Sequence, residues 1–195
     1  MHESLTPCMR LYAYRGQEIL NAERPPSLTH PFSFPLVVDP VMISKHGAPL
    51  MIKEAREVFK KEFLPHATLV TPNLYEAQEL AGFPVRDLES MERAAKAISS
   101  MGSRAVLVKG GHLENEAVDL LYWENKTELL HSPWIDSTHT HGSGCTFSAV
   151  ITAELAKGVD LLQAVRTAKK FITNAIATSP NPGSGNGPVD HHVVI

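Results

Sequence analysis

Leu36-Val37-Val38-Asp39-Pro40-Val41 is the stretch on which the fold turns. A short apolar run without alternation suits a strand buried on both faces, and an acid followed by proline ends it. The same pattern returns twice. Ala67–Val70 runs into Thr71-Pro72-Asn73, and Ala105-Val106-Leu107-Val108 runs into Lys109-Gly110-Gly111-His112. Between the runs, apolar residues recur at helical spacing. Ile52, Ala55, Phe59 and Phe63 precede Pro65, and Leu74, Ala77, Leu80 and Ala81 precede Gly82. Leu88, Met91, Ala95 and Ile98 follow a capping Asp87 and stop at Gly102. This alternation predicts an α/β sandwich with helices on both faces of a mostly parallel sheet.

Val118–Trp123 and Glu128–Trp134 predict a hairpin turning near Asn125-Lys126. A glycine turn at Thr140-His141-Gly142-Ser143-Gly144-Cys145-Thr146 then opens a helix whose face is Phe147, Val150, Ile151 and Leu155 and whose end is Gly158. Asp160 and Gln163 start the last helix in the manner of a capping box, with Leu161, Val165, Ala168, Ile172 and Ala175 on one face. Ser179 to Pro188 reads as an extended loop. Residues 1–35 are different: Pro7, Pro25, Pro26, Pro31 and Pro35 interrupt them, and they suggest only a short helix around Arg10–Leu20. The division is therefore a poorly patterned segment, 1–35, and an α/β domain, 36–195.

The composition sets bounds. At 195 residues, one domain with a substantial core is expected. A net charge of -3 and a pI near 6.4 do not suit nucleic acid or an anionic membrane surface as partner. No apolar run reaches the length of a membrane span, and Met1–Cys8 lacks the basic and apolar regions of a signal peptide. The two cysteines, Cys8 and Cys145, stand in unlike contexts and suggest neither a disulfide framework nor a metal site. The expectation is a cytoplasmic protein.

In open α/β sheets, ligands bind beyond the carboxyl ends of the strands. Asp39, Asn73, Lys109 and Gly142–Cys145 all belong to that edge. Each has two readings. Gly142, Ser143 and Gly144 suit a phosphate cradle, since glycine lets an anion approach the amides of a helix N-terminus, whose field also favours a thiolate at Cys145. The same turn suits a plain tight loop with Cys145 as a small buried residue. Asn73 and Glu76 share a helix face, fit either to hold Mg²⁺ through water or to be an N-cap and a surface glutamate. Asp39 serves either a cation or phosphate or the cap of the next turn. Lys109 serves either as a point charge on a phosphate or as a solvated loop residue. His141 reads as structural, Gly185-Asn186-Gly187-Pro188 as a loop able to wrap a base, and His191-His192 as a surface pair.

Together and in order, Asp39-Pro40-Val41-Met42, Thr71-Pro72-Asn73-Leu74-Tyr75-Glu76-Ala77, Val108-Lys109-Gly110-Gly111-His112, His141-Gly142-Ser143-Gly144-Cys145-Thr146 and Gly185-Asn186-Gly187-Pro188-Val189 resemble the hydroxymethylpyrimidine/phosphomethylpyrimidine kinases of the ribokinase-like superfamily. The resemblance implies a three-layer αβα sandwich. It implies MgATP-dependent phosphorylation of 4-amino-5-hydroxymethyl-2-methylpyrimidine and then of its monophosphate, in thiamine biosynthesis. By resemblance Cys145 is the general base, and Gly142, Ser143 and Gly144 form the anion hole. Asn73 and Glu76 serve Mg²⁺ and phosphate, and Asp39 and Lys109 lie near the phosphates. Cysteine at position 145, where many sugar kinases of the superfamily carry aspartate, favours the pyrimidine branch. The partners implied are ATP and a small pyrimidine; oligomeric state is left open, a homodimer included. Ser143 stands where threonine is common. The family's opening strand and glycine-rich segment have no match in residues 1–35, so the expectation is a domain without its N-terminal part. A pyridoxal-type kinase and an inactive nucleotide-binding remnant stay as alternatives.

Overall fold

The computed structural model describes residues 34–43, 49–111, 116–180, 183 and 185–195. The expected helix at Arg10–Leu20, His112 and Ser184 lie outside the described residues. In chain order the elements are β1 (Val37–Val38), α1 (Lys53–Val58), β2 (Leu69–Val70), α2 (Leu74–Ala81), α3 (Leu88–Ser99), β3 (Ala105–Lys109), β4 (Glu116–Trp123), β5 (Lys126–Pro133), α4 (Ser143–Ala156) and α5 (Leu161–Ala177).

The five strands form one sheet in sequence order. β1, β2 and β3 run parallel, with Val37 beside Leu69 and Val70 beside Val106. β3, β4 and β5 run antiparallel, with Leu107 opposite Leu121 and Leu120 opposite Leu129. The parallel half is the strand–helix alternation of the sequence, and the antiparallel half is the expected hairpin. Its turn falls one residue early, on Glu124-Asn125. Both residues have positive φ, 48° and 60°, as a two-residue turn matched to strand twist requires.

The buried faces define three layers. On β3, Val106 and Val108 pack with Phe59 and Leu64 beyond α1 and with α2 and α3, while Ala105 and Leu107 pack with α4 and α5. Val70 and Leu69 divide the same way on β2, as do Leu120 and Leu121 on β4. Strands covered on both faces have no polar side to show, so the runs read as continuously apolar. Pro65 does not stop α1 cleanly. The helix continues as a π turn, Phe59–Phe63, and a 3-10 turn, Leu64–His66, with Pro65 in its first positions. Proline lacks the amide that a further α-turn would use.

One buried ion pair joins the layers. Lys169 on α5 donates through Nζ to Asp119 Oδ2 at 2.7 Å and to the Ala117 carbonyl at 2.8 Å. The other oxygen of Asp119 accepts the Gly110 amide at 3.0 Å. Side-chain exposure is 10% for Lys169 and 6% for Asp119, so each charge depends on the other. Lys169→Met should cost about 3–5 kcal/mol in urea denaturation by stranding Asp119, and adding Asp119→Asn should recover most of that loss.

Candidate active site

Three parallel strands end at one edge, and each ends on a polar residue. Asp39 follows β1, Thr71 follows β2, and Lys109 closes β3. The Lys109 amide donates to the Pro72 carbonyl at 2.8 Å, and Asn73 bridges Lys109 in parallel register. Lys109 Nζ then reaches Asp39 Oδ1 at 2.9 Å, across the intervening strand. Both side chains are 14% exposed, which lowers the screening of the pair without isolating it from solvent.

The glycine turn meets this pair from the other layer. Gly142 is the N-cap of α4, with φ 80° and ψ 2°, a backbone state that a side chain would strain. Ser143 N–H donates to the Thr140 carbonyl, and the first intrahelical bond is Thr146 N–H to Gly142 O. The amide of Ser143 is thus committed within the turn. A Cβ on Gly144 would stand 3.3 Å from Lys109 Nζ, so glycine lets the ammonium lie against the helix start.

Asn73 and Glu76 form a reciprocal capping box. Asn73 Oδ1 accepts the Glu76 amide, and Glu76 Oε2 accepts the Asn73 amide, each at 2.9 Å. The N-cap reading of Asn73 is therefore correct, but Glu76 is no surface residue. It is 2% exposed, and Oε1 also accepts the Met42 amide at 3.3 Å. Burial pushes its pKa from 4.5 to about 7, with the charge of Asp39 adding to the rise and Lys109 and the two amides opposing it.

Cys145 departs from its expected thiolate. The residue is exposed, yet desolvation on its protein side, and then the charge of Asp39, push the thiol up from its ordinary value. Lys109 pulls it down by less. The helix start alone suggests an anion; burial first, and then the charge of Asp39, reverse the balance.

Other expected residues fall nearby with other roles. His141 exchanges backbone bonds with Gly187 and Val189, and Gly187 N–H donates to His139 Nδ1 at 2.8 Å. The C-terminal segment thereby lies along the glycine turn. His191, read as a surface residue, is exposed but places Nε2 3.1 Å from Thr146 Oγ1. The sequence reading passed over Thr71 and Ser148, 1% and 4% exposed, which link Asp39 to Gly144. A threonine ahead of Pro-Asn gave no signal of this kind. Asp119 did give one, as an acid inside an apolar strand.

An αβα sandwich with an acid, a lysine and a glycine-started helix gathered at the carboxyl ends of its parallel strands belongs to the ribokinase-like class. The comparisons agree. Residues 26–190 match the phosphomethylpyrimidine kinase family. Hydroxymethylpyrimidine/phosphomethylpyrimidine kinase of Haemophilus influenzae is 47% identical over 161 residues, 80% of this chain and 60% of its own length. Pyridoxal kinase from Staphylococcus aureus, solved in complex with AMP-PCP and pyridoxal, superposes with a TM-score of 0.74 at 36% identity, over 80% of this chain and 57% of its own. Phosphomethylpyrimidine kinase from Clostridium difficile superposes with a TM-score of 0.63 at 42% identity, over 73% of this chain and 57% of its own. The chain belongs to the phosphomethylpyrimidine kinase family. It spans about 60% of the length of the curated relatives it matches. Among the described residues, no helix is long and apolar enough to cross a membrane.

The buried carboxylate makes stability depend on pH with a definite sign. Folding raises the Glu76 pKa, so the folded chain holds an extra proton between about pH 4.5 and about pH 7. That contribution is full below the unfolded value and is lost as pH rises through the folded one. Relative to Glu76→Gln, the natural chain should lose up to about 3 kcal/mol across this window in urea denaturation at each pH.

Proposed function

We propose that this chain serves ATP-dependent phosphorylation of hydroxymethylpyrimidine and of its monophosphate. The observation that carries this is the Lys109–Asp39 pair held against the first turn of α4, beside Cys145. Phosphoryl transfer needs positioned positive charge and a base within reach more than it needs covalent chemistry. Lys109 and the amides at the start of α4 supply the first. Lys109 lies between Asp39 and that helix start, so it has an acid to orient it and an anion site to face.

Cys145 supplies the base. Its Sγ takes the proton of the substrate hydroxymethyl group while the hydroxyl oxygen bonds to the γ-phosphorus and the bond from that phosphorus to the β–γ bridging oxygen breaks, releasing ADP. On the monophosphate, a phosphate oxygen is the nucleophile and has no proton to give up at neutral pH. The second step therefore depends more on charge neutralisation by Lys109 than on the base. Because burial and Asp39 push the thiol up, the base form grows with pH, and the first step should quicken toward alkaline conditions.

The donor set suits a hard cation held through water. Glu76 offers carboxylate oxygens already bonded to amides, and Asn73 stands beside it. Among the described residues, no three His, Cys, Asp or Glu side chains gather as a direct metal site. Mg²⁺ keeps several waters and takes few protein ligands, so Asn73 and Glu76 would hold it at second hand. When bound, it supplies further neutralisation of phosphate charge.

The pyridoxal kinase likeness supports a second reading in which the accepted ring is pyridoxal. Turnover of the chain with ATP, Mg²⁺ and each alcohol decides between them: the proposal expects the higher kcat/KM for the pyrimidine, and a higher value for pyridoxal overturns it. Nucleotide binding without turnover of either would favour a binding remnant. Cys145→Ala should lower kcat on hydroxymethylpyrimidine by about 10²–10⁴-fold while the Kd for ADP stays within about two-fold. An unchanged kcat would remove Cys145 from the role.

A further inference from the structure

Two buried hydroxyls lie between the ion pair and the helix that carries Cys145. Thr71 Oγ1 is 3.3 Å from Asp39 Oδ1 and 3.0 Å from Ser148 Oγ, and Ser148 Oγ is 3.1 Å from the Gly144 carbonyl. Three links therefore run from Asp39 to the first turn of α4. Only two protons are available to make them, one on each hydroxyl. If Thr71 donates to Asp39, Ser148 must choose between Thr71 and Gly144. If Ser148 donates to Gly144 and Thr71 donates to Ser148, Asp39 loses the Thr71 proton and keeps the bond from Lys109. The chain has alternative proton arrangements, and they differ in how well the charge of Asp39 is compensated.

We infer that Thr71 and Ser148 are positioning residues whose hydroxyls carry the state of the Asp39–Lys109 pair to the start of α4 and so set the reactivity of the Cys145 thiol. Among the described residues Asp39, Lys109 and Glu76 act on this thiol by charge, and His191 sits on the neighbouring Thr146. Of these, Asp39 is the one that Thr71 contacts directly. Any change in the hydrogen bonds to Asp39 thus reaches the sulfur through its field. The geometry makes the two hydroxyls act in opposite senses. Removing the Thr71 hydroxyl takes a donor from Asp39 and strengthens its negative field. Removing the Ser148 hydroxyl takes away the competitor and commits the Thr71 proton to Asp39.

The test is the rate of alkylation of Cys145 by iodoacetamide in the full chain, followed by mass spectrometry of the Cys145 peptide. At neutral pH, Thr71→Val should slow the reaction about three-fold and Ser148→Ala should quicken it about three-fold, because half a pKa unit is a three-fold change in thiolate. Thr71→Ser should react as the natural chain does. The pH profile should move up for Thr71→Val and down for Ser148→Ala. Changes of the same sign in both variants, or no change in either with thermal melts preserved, would overturn the inference. Should Thr71→Val fail to fold, Ser148→Ala decides alone: acceleration supports the coupling, and slowing or no change refutes it. The importance of this chain for catalysis rests on the proposed function. The alkylation rates do not, since they need neither ATP nor pyrimidine. Absence of turnover would therefore count against the kinase reading and leave the coupling standing.

Discussion

Everything at the candidate site depends on one reach: Lys109 crossing from the end of β3 to Asp39 at the end of β1. The two strands are not neighbours. β2 lies between them, so the pair spans two parallel pairings and clamps the edge where all three strands finish. A parallel sheet aligns strand ends but leaves side chains there unpaired by the ladder. The ion pair turns that alignment into a fixed constellation. It also explains Gly144. A Cβ at Gly144 would crowd the ammonium at 3.3 Å, and glycine leaves the helix start room beside it.

The charges around the pair are tuned against one another. Asp39 raises both Glu76 and Cys145, and Lys109 lowers both. Burial is the larger cause in both, and for Glu76 the pull of Lys109 outweighs the push of Asp39. Burial favours the protonated form of Glu76, which tempers the negative charge of an edge that two acids face. For an anionic ligand this matters more than the count of positive residues, because a phosphate approaching Lys109 would otherwise meet two ionised carboxylates. A neutral Glu76 lowers that repulsion, while a divalent cation would draw the proton off.

The parts legible in the sequence are those set locally. Apolar runs ending on polar residues marked the three parallel strands. Asp87 before Leu88 and Gly158 after α4 marked helix ends, and Asp160 was found as the cap of α5. The family motifs brought Asp39, Asn73, Lys109 and Cys145 to one edge. What escaped was set by contacts distant in sequence. Thr71 meets Ser148 across 77 positions, and Lys169 meets Asp119 across 50. Neither residue type announces burial. Glu76 was missed for a related reason: a glutamate in the first turn of a helix is the ordinary solvated case, and only the approach of the Met42 amide and the strand ends seals it in.

The error over Cys145 has a different origin. The helix-start rule is sound, but it treats the helix field as the sole influence on the thiol. Here the amide field competes with desolvation and with an acid held in place by its own lysine. On the proposed function this is no defect. A thiol with a low pKa is largely ionised yet weak as a base, whereas a raised one is the stronger base in the smaller fraction that is ionised at neutral pH. On that proposal Asp39 serves the reaction twice: it orients the lysine that faces the phosphate, and its charge adds to the burial that raises the neighbouring thiol.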